Sequence, residues 1–507
     1  MVRSLVERVF DAAHDRSQLA FVAVDGREHT LGELEAVVAS RGELLRGLGV
    51  GAGVPVAFFA GDGLDLPLSY LAVIAAGGIA VPVNNQFGPG DVEAVAEILG
   101  EAIWLSDSSR APVLDAALAA VHRAHHVYDI DSFELLAGTP VEPGMRRTST
   151  VPHDPADPVD VLAFTSGTTG SPKGACLSRS ALDAALTSSA RSYRFGSDTV
   201  LLYTAAMAFV PTVLTQLLGA LAVGGRVHLL RSRVCSTWLE QAEQVGATFT
   251  YVPTPELADF ARTADQRGGV PSLRTIFHAG SAVPPEVMEN ALGVFGDRML
   301  EAWGMTETCG APITVTVEGD SAELGPARFA LTVGRAVPEA RVRLDVDEGE
   351  GELLVAAPFL CRGYLGVDGF EPIDREAFPT GDLGRIDDGF VAITGRRKEL
   401  IITGGINVSP VEVELCIASM DGIAEAAVFG VDDPRWGEAV NVAVVPAPDA
   451  QVDPDAIVTF VKSRLAPYKA PKAVHVVSEL PRTASHKIMR HVLRERFNTP
   501  HEGAPNA

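Results

Sequence analysis

The run TSGTTGSPKG at positions 165–174 has the inventory of a phosphate site. Its small polar residues offer backbone N–H groups and hydroxyls, and Lys173 adds a point charge. It is not the common nucleotide-triphosphatase loop, which needs lysine directly after glycine and a hydroxyl directly after lysine. Here Pro172 precedes Lys173 and Gly174 follows it. A Gly/Ser/Thr run can also be a plain linker. This one follows the buried-strand pattern VDVLAF and precedes CLSRSALDAALTSS, read as a helix, which is no place for a linker.

Four further segments suit nucleotide chemistry. In EAWGMTET (301–308), Glu307 is a carboxylate able to hold a divalent cation whose shell substrate phosphates complete. FHAGSA (277–282) has small residues against which a flat base can lie. FPTGDL (378–383) and the following GRRK (395–398) supply Asp382, an acceptor suited to a vicinal diol, and Arg396. PRTASHKI (481–488) supplies Lys487. Singly, each has a plainer reading: a solvated glutamate, a packed His278, an aspartate in a turn, a surface lysine before the amphipathic IMRHVLRERF.

These segments need elements to position them. At 507 residues the chain exceeds one ordinary core, and about 150 residues per domain implies several domains or subdomains. Hydrophobic residues make up 47% and charged residues 21%, the balance of a soluble globular protein. A net charge of −24 argues against nucleic-acid or anionic-membrane partners, so an anionic substrate must find a local positive site. The 5 cysteines are scattered, without CxxC or metal-ligand spacing, and point to a reduced compartment. Neither end carries a targeting or lipid signal, and a cytoplasmic location is expected. The uncharged stretches 66–87 and 200–225 reach membrane-span length, but prolines and glycines interrupt both. They are read as buried helix-plus-strand segments.

TLGELEAVVASRGELLRGLG sets Thr30 as N-cap with Glu33 three residues on, a capping box, and ends at glycine. VPVAFFA reads as a strand, SYLAVIAAGG as a helix and IAVPV as a strand. Strand patterns recur at VDVLAFTS, GRVHLL, ATFTYVP and LRTIFHAGS, implying βαβ units and mostly parallel sheets. ARVRLDV, GELLVAA and GFVAITG suggest a smaller β-rich subdomain. Beyond GRRKEL, Pro410 suits the first position of a helix through VEVELCIASM. AEAAVFGV and AVNVAVVP then read as a strand pair, DAIVTFVKSRL as a helix and AVHVVSEL as a strand. The expected fold is α/β. A large N-terminal domain (1–396) combines parallel-sheet αβ subdomains with a β-rich subdomain, and a small mobile α+β domain (397–507) follows.

With the four other motifs in this order, TSGTTGSPKG resembles the phosphate-binding loop of the acyl-adenylate-forming (AMP-binding) enzymes: acyl-CoA synthetases, peptide-synthetase adenylation domains and luciferases. The resemblance runs from about position 30 to about position 496. It implies that Thr165, Ser166, Gly167, Thr168, Thr169, Gly170 and Lys173 hold ATP phosphates, and that Ala279, Gly280, Ser281, Trp303 and Gly304 receive the adenine. By the same resemblance Thr306 contacts the α-phosphate, Glu307 binds magnesium, Asp382 accepts from both ribose hydroxyls, and Arg396 supports the ribose or the phosphate. Lys487 would reach the carboxylate and α-phosphate during adenylation. His486 stands where the family usually has glycine, a departure in how the loop presents that lysine. Lys398 matches the family hinge about which the C-terminal domain swivels. Gly404 and Gly405, in IITGGINV, resemble the loop lining the thiol tunnel.

The family's acid-pocket segment corresponds to YTAAMAFVP (203–211), and the lining expected is Met207, Phe209, Val210, His278, Ala279, Gly280 and Met305. No aspartate lies between Val200 and Arg226, where amino-acid adenylation domains hold the substrate ammonium. A hydrophobic acid is expected; the same residues could also be plain core. The expected function is a two-step ligase. A carboxylic acid and magnesium-ATP give acyl-AMP and pyrophosphate, and CoA then takes the acyl group. Lys469, Lys472, Arg179 and Arg226 are the local cations for the CoA phosphates. Two alternatives stay open: loading of a carrier-protein phosphopantetheine, and a non-catalytic adenylate-binding regulator. A monomer or homodimer is expected.

Overall fold

A computed structural model of the chain describes residues 2–11, 13–121, 126–140, 151–152, 154–165, 172–280, 283–448, 450–482 and 488–498. Among these, two large sheets and one small sheet organise the molecule. In the first, Pro55–Phe59, Ile79–Pro82, Ile103–Ser106 and His126–Asp129 pair in parallel, and Val159–Thr165 joins them through Ala80↔Val161. The sheet then turns antiparallel through Lys173–Ser178 and the hairpin Gly363–Gly366/Gly369–Pro372. Pro55–Phe59 is buried at every position, as a parallel strand covered on both faces must be.

The second sheet has a parallel block of Leu19–Val22, Arg226–Leu229, Val200–Tyr203, Phe249–Tyr251, Thr275–Ala279 and Met299–Gly304. It continues antiparallel through Pro312–Val315, Arg335–Ala336, Phe390–Arg396, Phe378–Asp387, Gly351–Ala356 and Arg341–Leu344. The β-rich strands expected from the sequence are present, but they extend this sheet instead of forming a separate one. The junction is Gly334, at φ 89, where a Cβ would lie 2.1 Å from the Val315 carbonyl carbon. That close approach brings Arg335 opposite Val315 on one side and Phe390 on the other.

One apolar cluster takes residues from both sheets (Phe58 and Val161, Leu201 and Phe277) and from the helices Leu31–Gly47, Asp65–Ala75 and Arg179–Ser192. These helices are the layer the sheets share. Pro89–Leu99 and Ala111–Ala120 pack on the other face of the first sheet, and Cys235–Val245, Thr254–Gln266 and Pro285–Phe295 on that of the second. After residue 400, a third sheet of Ile406–Val408, Ile401–Thr403, Gly437–Pro446, Ile423–Asp433 and Ala473–Val476 has two apolar clusters of its own. The fold is thus α/β, with a large N-terminal and a small C-terminal domain.

Several local expectations are met atom by atom. Thr30 and Glu33 form the capping box, and Pro410 opens its helix. The stretch 200–225 divides into the strand Val200–Tyr203, the short helices Val210–Thr212 and Leu218–Ala222, and the π-helix Val213–Leu217 between them. No helix among the described residues is long and apolar enough to cross a membrane. One expectation fails. The polar run at 165–174 does not lead from a strand into a helix; it joins two antiparallel strands paired at Thr165↔Lys173. The helix begins only at Arg179, capped by the Ser178 side chain.

Candidate active site

The site gathers where the parallel strands of the second sheet end, the usual place for a ligand crevice in such sheets. Thr275–Ala279 and Met299–Gly304 run side by side, with Ala279 opposite Ala302. Trp303, one residue on, donates from its indole Nε1 to Asp382 Oδ2 at 2.9 Å. Arg396 reaches the other oxygen, Nε to Oδ1, at 2.8 Å. Asp382 and Arg396 face each other across Phe378–Asp387 and Phe390–Arg396, so sheet register brings them together. Asp382 is 3% exposed, yet both carboxylate oxygens have a donor and a lone pair to spare. Trp303, expected to stack on adenine, therefore also orients the ribose-binding carboxylate expected at Asp382.

Glu307 sits on the 3₁₀ turn Thr306–Thr308 directly after that strand. Its Oε1 accepts a hydrogen bond from the Tyr364 hydroxyl at 2.8 Å, and its carbonyl accepts from the Cys361 N–H at 2.7 Å. Burial and the Glu307 charge hold the Tyr364 hydroxyl well above its ordinary pKa, so it stays a donor. Oε2 of Glu307 takes no donor among the described residues, and a half-buried carboxylate oxygen fits a hard divalent cation. Lys173 lies over the Tyr364 ring, with Nζ 6.0 Å from the ring centroid and 3.4 Å from Glu371 Oε2. The Thr165 hydroxyl donates to the Lys173 carbonyl at 3.4 Å. Ser166, Gly167, Thr168, Thr169, Gly170, Ser281, His486 and Lys487 lie outside the described residues.

The acid-side residues are held differently. Met207 is buried; its N–H donates to Asp62 Oδ1 at 3.0 Å, and the Gly63 N–H meets its sulfur at 3.3 Å. Phe209 is half-buried and Val210 buried, directly before the π-helix. Met305 is half-buried against the shared core. His278 is 0% exposed, with Nδ1 2.9 Å from Glu301 Oε2 and Nε2 2.7 Å from Thr254 Oγ1. Both of its ring nitrogens are thus engaged by side chains of the fold. Burial pushes the Glu301 carboxyl up, against the opposing influence of His278.

Lys398 lies in the 3₁₀ turn Arg397–Glu399, between the strand Phe390–Arg396 of the second sheet and Ile401–Thr403 of the third. Its neighbours are anchored on opposite sides. Arg397 pairs with Asp345 at 2.6 Å and Glu352 at 3.2 Å, whereas Glu399 pairs with Arg490 at 2.7 Å. Gly404 and Gly405 have φ of 59 and 79, and Gly404 donates its N–H to the Trp436 carbonyl. Lys472 Nζ is 5.8 Å from the exposed Trp436 ring. The other cations expected near CoA have partners within the chain. Lys469 pairs with Glu412, Arg179 holds Asp160 through two nitrogens, and Arg226 donates to the Val245 carbonyl. Sequence reasoning missed Tyr364, Asp62 and Trp436, none of which lies in a motif that marks it.

The fold and the placement of these side chains at the strand ends point to a nucleotide-binding enzyme. Residues 7–365 match the model of the AMP-binding enzymes, and residues 412–487 that of the AMP-binding enzyme C-terminal domain. The chain belongs to the AMP-binding enzyme family. The indoleacetate–CoA ligase of Aromatoleum aromaticum is 30% identical over 92% of this chain and 93% of its own length. A feruloyl-CoA synthase of an Amycolatopsis species is 30% identical over 93% and 94%. Among solved structures, ATP-bound MatB from Rhodopseudomonas palustris superimposes with a TM-score of 0.81 at 26% identity, covering 98% of this chain and 99% of MatB.

Proposed function

We propose that the chain is an acid–thiol ligase. An acid carboxylate oxygen attacks the α-phosphorus of ATP, pyrophosphate leaves, and the acyl-AMP passes its acyl group to the CoA thiol with release of AMP. The carrying observation is the Asp382 carboxylate, oriented by Trp303 and Arg396 beside the turn that presents Glu307. Placing acid and nucleotide together supplies much of such a rate, because little covalent work falls to the protein. Thr306 and Lys487 would meet charge on the α-phosphate, and residues 165–174 would hold the departing pyrophosphate. Glu307 would hold magnesium, which neutralises triphosphate charge when bound.

The second step needs the small domain to turn about Lys398. The opposed anchoring of Arg397 and Glu399 supports a hinge there. The Gly404–Gly405 turn, beside Trp436 and Lys472, suits the approach of a pantetheine arm and its phosphates. For the acid, the apolar Met207, Phe209, Val210 and Met305 favour an aromatic or otherwise apolar substrate, in keeping with relatives named for indoleacetate and ferulate. A cytoplasmic location is consistent with CoA as acceptor. The test incubates enzyme, ATP and a panel of aryl, fatty and amino acids with CoA or with holo carrier protein, and resolves products by mass. Acyl-CoA from an apolar acid is expected. Acyl carrier protein alone would move the acceptor, and no thioester with either would end the ligase reading.

A further inference from the structure

One hairpin touches both ends of the candidate triphosphate site through groups to which the two-step reaction gives no role. Gly363–Gly366 lies directly on the strand that carries Lys173, with Tyr364 opposite Ala175 and Leu365 opposite Gly174. Its return strand, Gly369–Pro372, sets Glu371 opposite Tyr364. Directly opposed residues project from the same face. Tyr364 reaches Glu307 Oε1 at 2.8 Å, and Glu371 reaches Lys173 at 3.4 Å. Just before the hairpin, the Cys361 N–H holds the Glu307 carbonyl at 2.7 Å. Pro172, Lys173, Tyr364 and Glu371, with the hairpin tip 366–370, line a cavity of about 400 Å³.

The two contacts differ in kind. Tyr364 gives a charge-assisted hydrogen bond to a half-buried carboxylate, and pinning one oxygen leaves the other aimed. The Lys173–Glu371 pair is solvent-exposed, at 42% and 73%, so it adds little to the fold. It does keep an ammonium beside the cavity under a weak acceptor, which a triphosphate outcompetes. We infer that this hairpin presets the triphosphate site: Tyr364 is a positioning residue for the Glu307 carboxylate, and Glu371 is an internal competitor that phosphate displaces from Lys173. The inference rests on the ligase reading above, and it predicts effects of opposite sign from two residues on one face.

The experiment is calorimetric titration with ATP, without acid, in the presence and absence of magnesium, alongside melting curves and steady-state kinetics. Tyr364→Phe should raise the Kd of magnesium-ATP about tenfold and the magnesium concentration at half-effect, with metal-free ATP binding and the KM for the acid unchanged. Glu371→Gln should lower the Kd for ATP about two- to fivefold, with or without magnesium, and the gain should fade at high salt. Should Tyr364→Phe merely lower the melting temperature, the exposed Glu371→Gln still decides its half of the inference. Unchanged binding in both variants, or equal weakening in both, overturns it while the ligase reading stands. Failure of the wild type to bind ATP overturns the ligase reading itself.

Discussion

The proposed nucleotide side and the proposed acid side of the site are built by opposite means. Asp382 is fixed by Trp303 and Arg396, and Glu307 by Tyr364, so polar partners come from separate strands and each bond has a stated geometry. Met207, Phe209 and Val210 come from one short segment, held by the Asp62 carboxylate on the Met207 N–H and running into a π-helix. Buried within that π-helix, Gln216 Oε1 has no hydrogen-bond partner among the described residues. The lesson is that one side is specified by chemistry and the other by shape. A triphosphate always presents a diol, a base and anionic oxygens, whereas acids differ in bulk.

Variants should therefore separate ATP from acid. The largest effect is expected at Lys487. Lys487→Ala should slow acyl-AMP formation by about 10²–10³-fold, yet spare thioester formation from supplied acyl-AMP. Equal loss of both half-reactions would mean the lysine is misassigned. Next, Asp382→Ala strips two charge-assisted bonds and leaves the Trp303 N–H unpaired; the KM for ATP should rise about 10- to 100-fold with the KM for the acid unchanged. A matching rise in both constants would blur the division between the two sides.

Phe209→Ala makes the reverse test. Ratios of kcat/KM between bulky and slender acids should shift about tenfold while the KM for ATP holds, since pocket volume discriminates only modestly. The smallest effect lies in neither region. His228, on Arg226–Leu229, has its pKa pushed down to about 4 by burial, and then by the charges of Arg226 and Arg231. The unfolded chain takes up that proton near pH 6.5, before the folded protein does, so stability falls as pH drops from about 6.5 to about 4. His228→Leu should flatten the slope of melting temperature against pH in that window without altering either KM.

Legibility followed the same division. Asp382, Glu307 and Lys173 stand in short contiguous motifs, and their residue types already suggest diol, cation and phosphate chemistry. Tyr364 was invisible because its meaning lies in a partner 57 residues away in sequence. The strand Lys173–Ser178 escaped notice, its first two residues read as loop and its last three as the start of a helix. Buried at five of its six positions, it shows no alternation of polar and apolar residues to set it apart from the helix that follows. The β-rich strands were recognised one by one, but their membership of the second sheet depends on the Gly334 junction, a non-local pairing that no periodicity reports. Met207 and Phe209 were placed on the acid side, while the π-helix after them had no sequence signal.

The measurement that bears most directly on acid activation is exchange of labelled pyrophosphate into ATP by the wild-type enzyme, without CoA, across a panel of carboxylic acids. Exchange should appear only when an acid and magnesium are both present, and be strongest for aromatic or other apolar acids and weakest for α-amino acids. Binding of ATP with no exchange for any acid would contradict the account.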